Sequence, residues 1–163
     1  TVDDRPRLPL AAGAGCNLAL GCDLIVAGES ARFSEIFARR GLSLDFGGSW
    51  LLPRLVGMHK AKELAFFADI LSAREAERMG LVNRVVPDAE LDAFVADWAE
   101  RLSTSAPLAL QLSKKLLSNA FSIGLSEALD AEAAAQSVNL VSEDTKEGVR
   151  AFLEKRKPAF RGR

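Results

Sequence analysis

The chain has 163 residues, 48% of them hydrophobic and 26% charged, with a formal net charge of -1 at pH 7. That length supports a domain with a real core, and so even a charge balance excludes the basic composition expected of a nucleic-acid binder. No apolar run approaches the roughly 20 residues of a membrane span. No secretory leader is recognised, and two cysteines without a histidine pair make neither a disulfide framework nor a metal site. A cytoplasmic protein without metal, membrane or nucleic-acid partner is therefore expected.

In chain order, the first ten residues hold two prolines and four charges and do not read as a central strand. A small-residue loop, Gly13-Ala14-Gly15, then runs into a short apolar helix expected over 16–20. Amides at a helix start lack intrahelical partners and can hold an oxygen that becomes negative, although close packing of the helix explains the small residues equally well. The loop lacks the lysine of a phosphate-binding P-loop. Short apolar runs at 24–27 and 32–34 suit buried strands, and 81–86 reads as a strand ended by Pro87. Helices are expected over 48–56, 60–67, 73–79, 89–103, 107–122, 125–141 and 142–155. Their starts are marked by Ser72, Asp88, Ser105 or Ala106, and Gly124, with Ser72 and Glu75 at capping-box spacing. Leu91, Phe94, Val95, Trp98 and Leu102, then Leu108, Leu112 and Leu116, and later Leu125 and Leu129, recur at helical spacing and are expected in the core, as is Trp50. The basic tail from Lys155 to Arg163 reads as a solvated end, and His59 as a surface or capping residue.

Asp45 stands alone among apolar side chains in Gly41-Leu-Ser-Leu-Asp45-Phe46-Gly47-Gly48-Ser-Trp50. Two readings stay open from the residues. It is either a helix N-cap or a buried acid, whose pKa climbs from about 3.9 toward a range useful for moving protons.

The run Gly13-Ala-Gly15-Cys-Asn-Leu-Ala-Leu-Gly-Cys-Asp23-Leu-Ile-Val-Ala27 is followed by Ala31-Arg-Phe33, Gly41-Leu42, Gly47-Gly48 and Leu52-Pro53-Arg54-Leu-Val-Gly57. Residues 76–87, Glu147-Gly148 and Ala151-Phe-Leu-Glu-Lys-Arg-Lys-Pro158 continue the pattern. Together these segments resemble the enoyl-CoA hydratase/isomerase (crotonase) superfamily. The resemblance implies an α/β, ClpP/crotonase-like fold, truncated at its N-terminal side and ending in a helical oligomerisation region. Residues 1–87 would form a partial core with the second oxyanion loop and the Asp45 segment, and residues 88–163 the helices for trimerisation and CoA contact. The early strands, part of the CoA pocket and the first oxyanion amide belong to the family's N-terminal portion. The implied partners are an acyl-CoA, with coenzyme A as part of the substrate and no separate cofactor, and further copies of the chain in a homotrimer or hexamer.

Residue by residue, the resemblance gives Ala14 the second oxyanion amide, while Asn17 and Phe37 occupy the positions of the two hydratase glutamates. Asp45 falls where isomerases acting on dienoyl-CoA, and on the ring-epoxide or oxepin intermediates of phenylacetate breakdown, carry an aspartate. Gly13, Phe37, Leu42 and Phe46 are expected around the acyl group, and Phe152 and Lys155 near the CoA adenine and phosphates. The expectation is an acyl-CoA isomerase that shifts a carbon-carbon double bond through an enolate, with Asp45 as general acid/base. The alternatives are an enoyl-CoA hydratase and a non-catalytic truncated member of the family.

Overall fold

Short apolar runs separated by glycine turns fold the first part of the chain into two small sheets, one mixed and one parallel, with helices packed on them. In the computed structural model, which describes residues 9–163, the order is β1 (Leu10–Ala12), α1 (Ala14–Leu20), β2 (Val26–Gly28) and β3 (Arg32–Ser34). A 3-10 turn over Ile36–Arg40 leads to α2 (Gly48–Val56), α3 (Met58–Phe67), β4 (Leu71–Ser72), α4 (Ala73–Met79) and β5 (Arg84–Val86). Strand β3 is central to one sheet, parallel to β1 and antiparallel to β4, while β2 pairs in parallel with β5. Parallel neighbours need a crossover between them, and α1 supplies the one from β1.

Two compact units are distinguished, the first ending at Ala96 and the second covering Asp97–Arg163. The main core lies in the first. Leu52, Ala73 and Ala76 are fully buried there, with Cys16, Leu20, Phe33, Leu64, Val82 and Val85 close behind. Helix α4 begins at the expected capping box: the Ser72 hydroxyl accepts from the Glu75 amide, and the Glu75 carboxylate accepts from the Ser72 amide at 2.8 Å. Strand β1 goes beyond the sequence expectation, since Leu10 to Ala12 carry no strand signal of their own. Long-range pairing with β3 makes it a strand. Residues 1–8, which carry most of the charged and proline-rich start, lie outside the described residues.

The boundary between the units falls within helix α5 (Leu91–Ser103), and the second unit continues with α6 (Pro107–Asn119), α7 (Leu125–Val141) and α8 (Glu143–Leu153). Helix α7 packs on α6 and on α8. The apolar stripes are only partly buried. Leu91, Phe94, Trp98, Leu108, Leu112 and Leu116 are half-buried, but Val95, Leu102, Leu125 and Leu129 are exposed. On α7 the inward face is made of small residues, Ala128, Ala131 and Ala135, so its leucines fall outside the seam.

The tail is solvent-exposed as expected, apart from half-buried Phe160, but it is pinned and not free. Asp144 is buried and its carboxylate accepts from the amides of Arg161 at 2.6 Å and Gly162 at 2.8 Å, while its own amide donates to the Arg163 carbonyl. The Arg156 guanidinium grips Glu147 with two nitrogens, which holds that carboxyl down at about 2. Among the described residues no helix is long and apolar enough to cross a membrane.

Candidate active site

The glycine loop is built by a close approach. Gly13 adopts φ 54°, its amide donates to the Ser34 carbonyl at 2.9 Å, and its carbonyl accepts from the Asn17 amide at 3.0 Å. A Cβ at this position would sit 3.4 Å from the Phe37 ring, so the small residue lets the 3-10 turn close on the loop. Gly13 and Phe37 are thus brought together, and Phe37 is buried. Ala14, half-buried, is the first residue of α1, where amides have no intrahelical acceptor. Beyond Phe37 opens a hollow of about 420 Å³ lined by Phe37, Ala38, Leu42, Leu44, Ala65 and Phe66. Ser43 and Ser49 complete a lining that is otherwise apolar.

Asp45 departs from expectation on two counts. It does not cap α2, because the N-cap is Gly47 and no side chain bonds the first turn. Nor is it buried: Asp45 is exposed, in a loop where Leu42 is 62% and Phe46 65% accessible and Phe46 takes φ 48°. Only Leu44 of this loop packs against the core cluster, and its neighbours Ser43, Asp45 and Phe46 are exposed. What holds the segment is its backbone. The Asp45 carbonyl accepts from the Gly48 amide at 2.9 Å and from Asn17 Nδ2 at 3.0 Å. Trp50 also departs, standing 48% exposed with the Arg54 guanidinium stacked 3.9 Å from its ring centroid. That contact stabilises the indole at the surface.

At Gly48 the start of α2 lies directly against the Asn17 side chain of α1. A Cβ there would lie 2.3 Å from Asn17 Nδ2 and 2.6 Å from its Cγ and Oδ1. Gly48→Ala is therefore expected to cost about 1–3 kcal/mol through overpacking and to push the Asn17 amide off the Asp45 carbonyl. A urea midpoint lowered by that amount, together with reduced turnover, checks this; a variant that behaves as the parent in both contradicts the contact.

One residue of the site has no counterpart among the sequence expectations. Glu35, between β3 and the 3-10 turn, is 3% exposed, and its Oε2 accepts from Asn17 Nδ2 at 3.2 Å. Burial pushes its carboxyl above the usual carboxylate range; hydrogen bonds from Cys16 and Asn17 oppose this, and the Asp45 charge adds to it. Burial, then the Glu35 charge, pushes the Cys16 thiol up to about 12, which leaves it protonated and unsuited to nucleophilic work. Glu35 Oε1 and Asn17 Oδ1 are buried without a hydrogen-bond partner among the described residues. The signal that could have found Glu35 is a lone carboxylate between Phe33 and Phe37, the same pattern that singles out Asp45.

Phe152 and Lys155 lie in the second unit at the end of α8, Phe152 82% exposed and Lys155 at φ 53°. No group of three histidine, cysteine, aspartate or glutamate side chains among the described residues could hold a metal ion.

Comparison with known structures first gives the class. An enoyl-CoA hydratase from Bacillus anthracis superposes with TM-score 0.92 at 36% identity, covering 94% of this chain and 60% of that one. The fold is therefore the α/β crotonase type. The chain belongs to the enoyl-CoA hydratase/isomerase family, whose model matches residues 10–163. A probable enoyl-CoA hydratase of Rhodobacter capsulatus is 46% identical over 157 residues, 94% of this chain and 60% of the relative. The 1,2-epoxyphenylacetyl-CoA isomerase of Escherichia coli is 41% identical over 154 residues, 94% of this chain and 59% of the relative. The chain thus spans about 60% of the length of the curated relatives it matches.

Proposed function

We propose that the protein containing this chain is an acyl-CoA isomerase that moves a carbon-carbon double bond along the acyl group, with Asp45 as the single general acid/base. The observation carrying this reading is the juxtaposition around α1. Asn17 and Phe37 supply no carboxylate where the resemblance places the hydratase acids, and Asn17 instead holds the backbone of Asp45. In the proposed reaction the Asp45 carboxylate removes a proton from the α-carbon of a β,γ-unsaturated thioester. The electron pair moves toward the thioester oxygen, the Ala14 amide stabilises the resulting anion, and the same carboxyl returns the proton to the γ-carbon. Phe37, with Gly13 behind it and Leu42 beside it, keeps the acyl chain in apolar surroundings. Phe46 closes over the acyl group from the exposed loop. Phe152 and Lys155 contact the CoA moiety, and the exposed leucines of α7 are buried against further copies in a homotrimer or hexamer.

The test is a product assay with the full-length protein and a β,γ-unsaturated acyl-CoA. The expected product is the α,β-conjugated thioester, isomeric with the substrate, without label from isotopically heavy water oxygen. A hydroxyacyl product carrying that label would overturn isomerisation as the main activity. Hydration is the second reading, and one observation favours it: Glu35 brings a second carboxyl to the Asn17 amide. Hydratase is also the commoner designation among the relatives.

A further inference from the structure

We propose that Glu35 is a positioning residue for this reaction, which by accepting one N–H of the Asn17 amide aims the other at the Asp45 carbonyl and so sets where the Asp45 carboxyl stands. The inference rests on Asp45 being the acid/base. A primary amide nitrogen has two hydrogens, and both are committed: Asn17 Nδ2 lies 3.2 Å from Glu35 Oε2 and 3.0 Å from the Asp45 carbonyl oxygen. Packing holds the plane of the amide and leaves it two orientations related by a half-turn, since Asn17 is 1% exposed and Gly48 closes on it more tightly than any side chain would permit. Glu35 therefore fixes which atom of Asn17 meets the Asp45 segment. Were the amide reversed, its oxygen would oppose the Asp45 carbonyl oxygen and the clamp would become a repulsion.

Stability alone gives little reason for an acid here. A carboxyl 3% exposed, with one oxygen lacking a partner among the described residues, is more costly than an apolar side chain of the same volume. The groups facing it are the Cys16 thiol and Asn17 amide from α1 and the Asp45 carboxylate from the loop, and none is a cation. The Asp45 loop is tied to the interior at two points, by the bond from buried Asn17 and by half-buried Leu44 packed against the core cluster. Glu35 is hydrogen-bonded to the Asp45 segment through Asn17, and the charge of Asp45 also acts on its carboxyl.

The experiment compares Glu35→Gln, Glu35→Met, Asn17→Leu and the double variant Glu35→Met with Asn17→Leu in the full-length protein, reading kcat and KM for double-bond migration. Glutamine keeps a carbonyl acceptor and is expected to hold kcat within about threefold of the parent. Methionine fills the space without accepting and is expected to lower kcat about ten- to a hundredfold at constant KM, as for a misplaced reacting group. The double variant is expected to fall no further than the worse single one, because the two residues act in series. Parental kcat in Glu35→Met, equal damage from glutamine and methionine, or a double loss equal to the product of the singles each overturns the proposal. Should Glu35→Met fail to fold, Asn17→Leu decides: loss of kcat at constant KM supports it, and parental kcat overturns it. Asp45→Asn separates the two levels. Undiminished turnover in that variant defeats the acid/base assignment itself, whereas its loss beside a fully active Glu35→Met defeats only the positioning role.

Discussion

Asp45→Asn in the full-length protein is expected to lower kcat for double-bond migration by about a hundred- to ten-thousandfold, the usual worth of a positioned general acid/base. The substitution is a clean probe because Asn17 and Gly48 hold the Asp45 carbonyl, not its side chain. The loop therefore keeps its course when the carboxylate becomes an amide. KM is expected to change little, since the contacts proposed for the acyl group and CoA lie elsewhere. The rate is followed by the ultraviolet absorbance of the conjugated thioester. Solvent deuterium exchange at the α-carbon gives a second reading, and both should fall together. Normal exchange with slowed isomerisation would mean that another group takes the first proton, which contradicts a single-acid mechanism.

Leu52→Ala is expected to have the largest effect on stability, about 2–5 kcal/mol, through lost apolar burial and the cavity left behind. Leu52 is completely inaccessible and sits in the main cluster with Phe33, Leu64 and Ala76. It lies one turn beyond Gly48 on α2, so it anchors the helix whose first residue meets Asn17. Leu55 on the same helix is 41% exposed, and Leu55→Ala serves as a control expected to stay within about 0.5 kcal/mol. The shift in urea midpoint measures both. Equal losses at the two positions would show that α2 is not anchored through Leu52.

Local signals in the sequence locate most helices. The capping box at Ser72 and Glu75, the glycine pair that caps and opens α2 and Gly124 before α7 each act over a few residues, and their helices begin where those residues specify. Contacts made by distant residues are not legible in the same way. Strand β1 exists through its pairing with β3, about twenty positions away by register, and α1 comes between them. The burial of Glu35 and the exposure of Asp45 depend on which of two lone carboxylates in apolar stretches the chain folds inward, and alternation alone does not decide that. Size and apolarity place Trp50 inside, whereas a stacked guanidinium lets it stay outside. The charges of the tail suggest a free end because they are local, while the carboxylates that pin it lie on α8. At the site, the motif leads to Gly13, Asn17 and Phe37. It says nothing about the amide link between Glu35 and Asp45.

The Asn17 and Glu35 pair also constrains redesign. Grafting a glutamate at 17, the obvious route toward water addition, would set two carboxyls face to face in a cavity that already crowds the existing amide against Gly48. One of them would have to retain a proton, and wherever that is the residue at 17 the graft could not act as the base for which it was installed. A functional graft at 17 therefore calls for a neutral partner at 35, and the two sites must be exchanged as a unit.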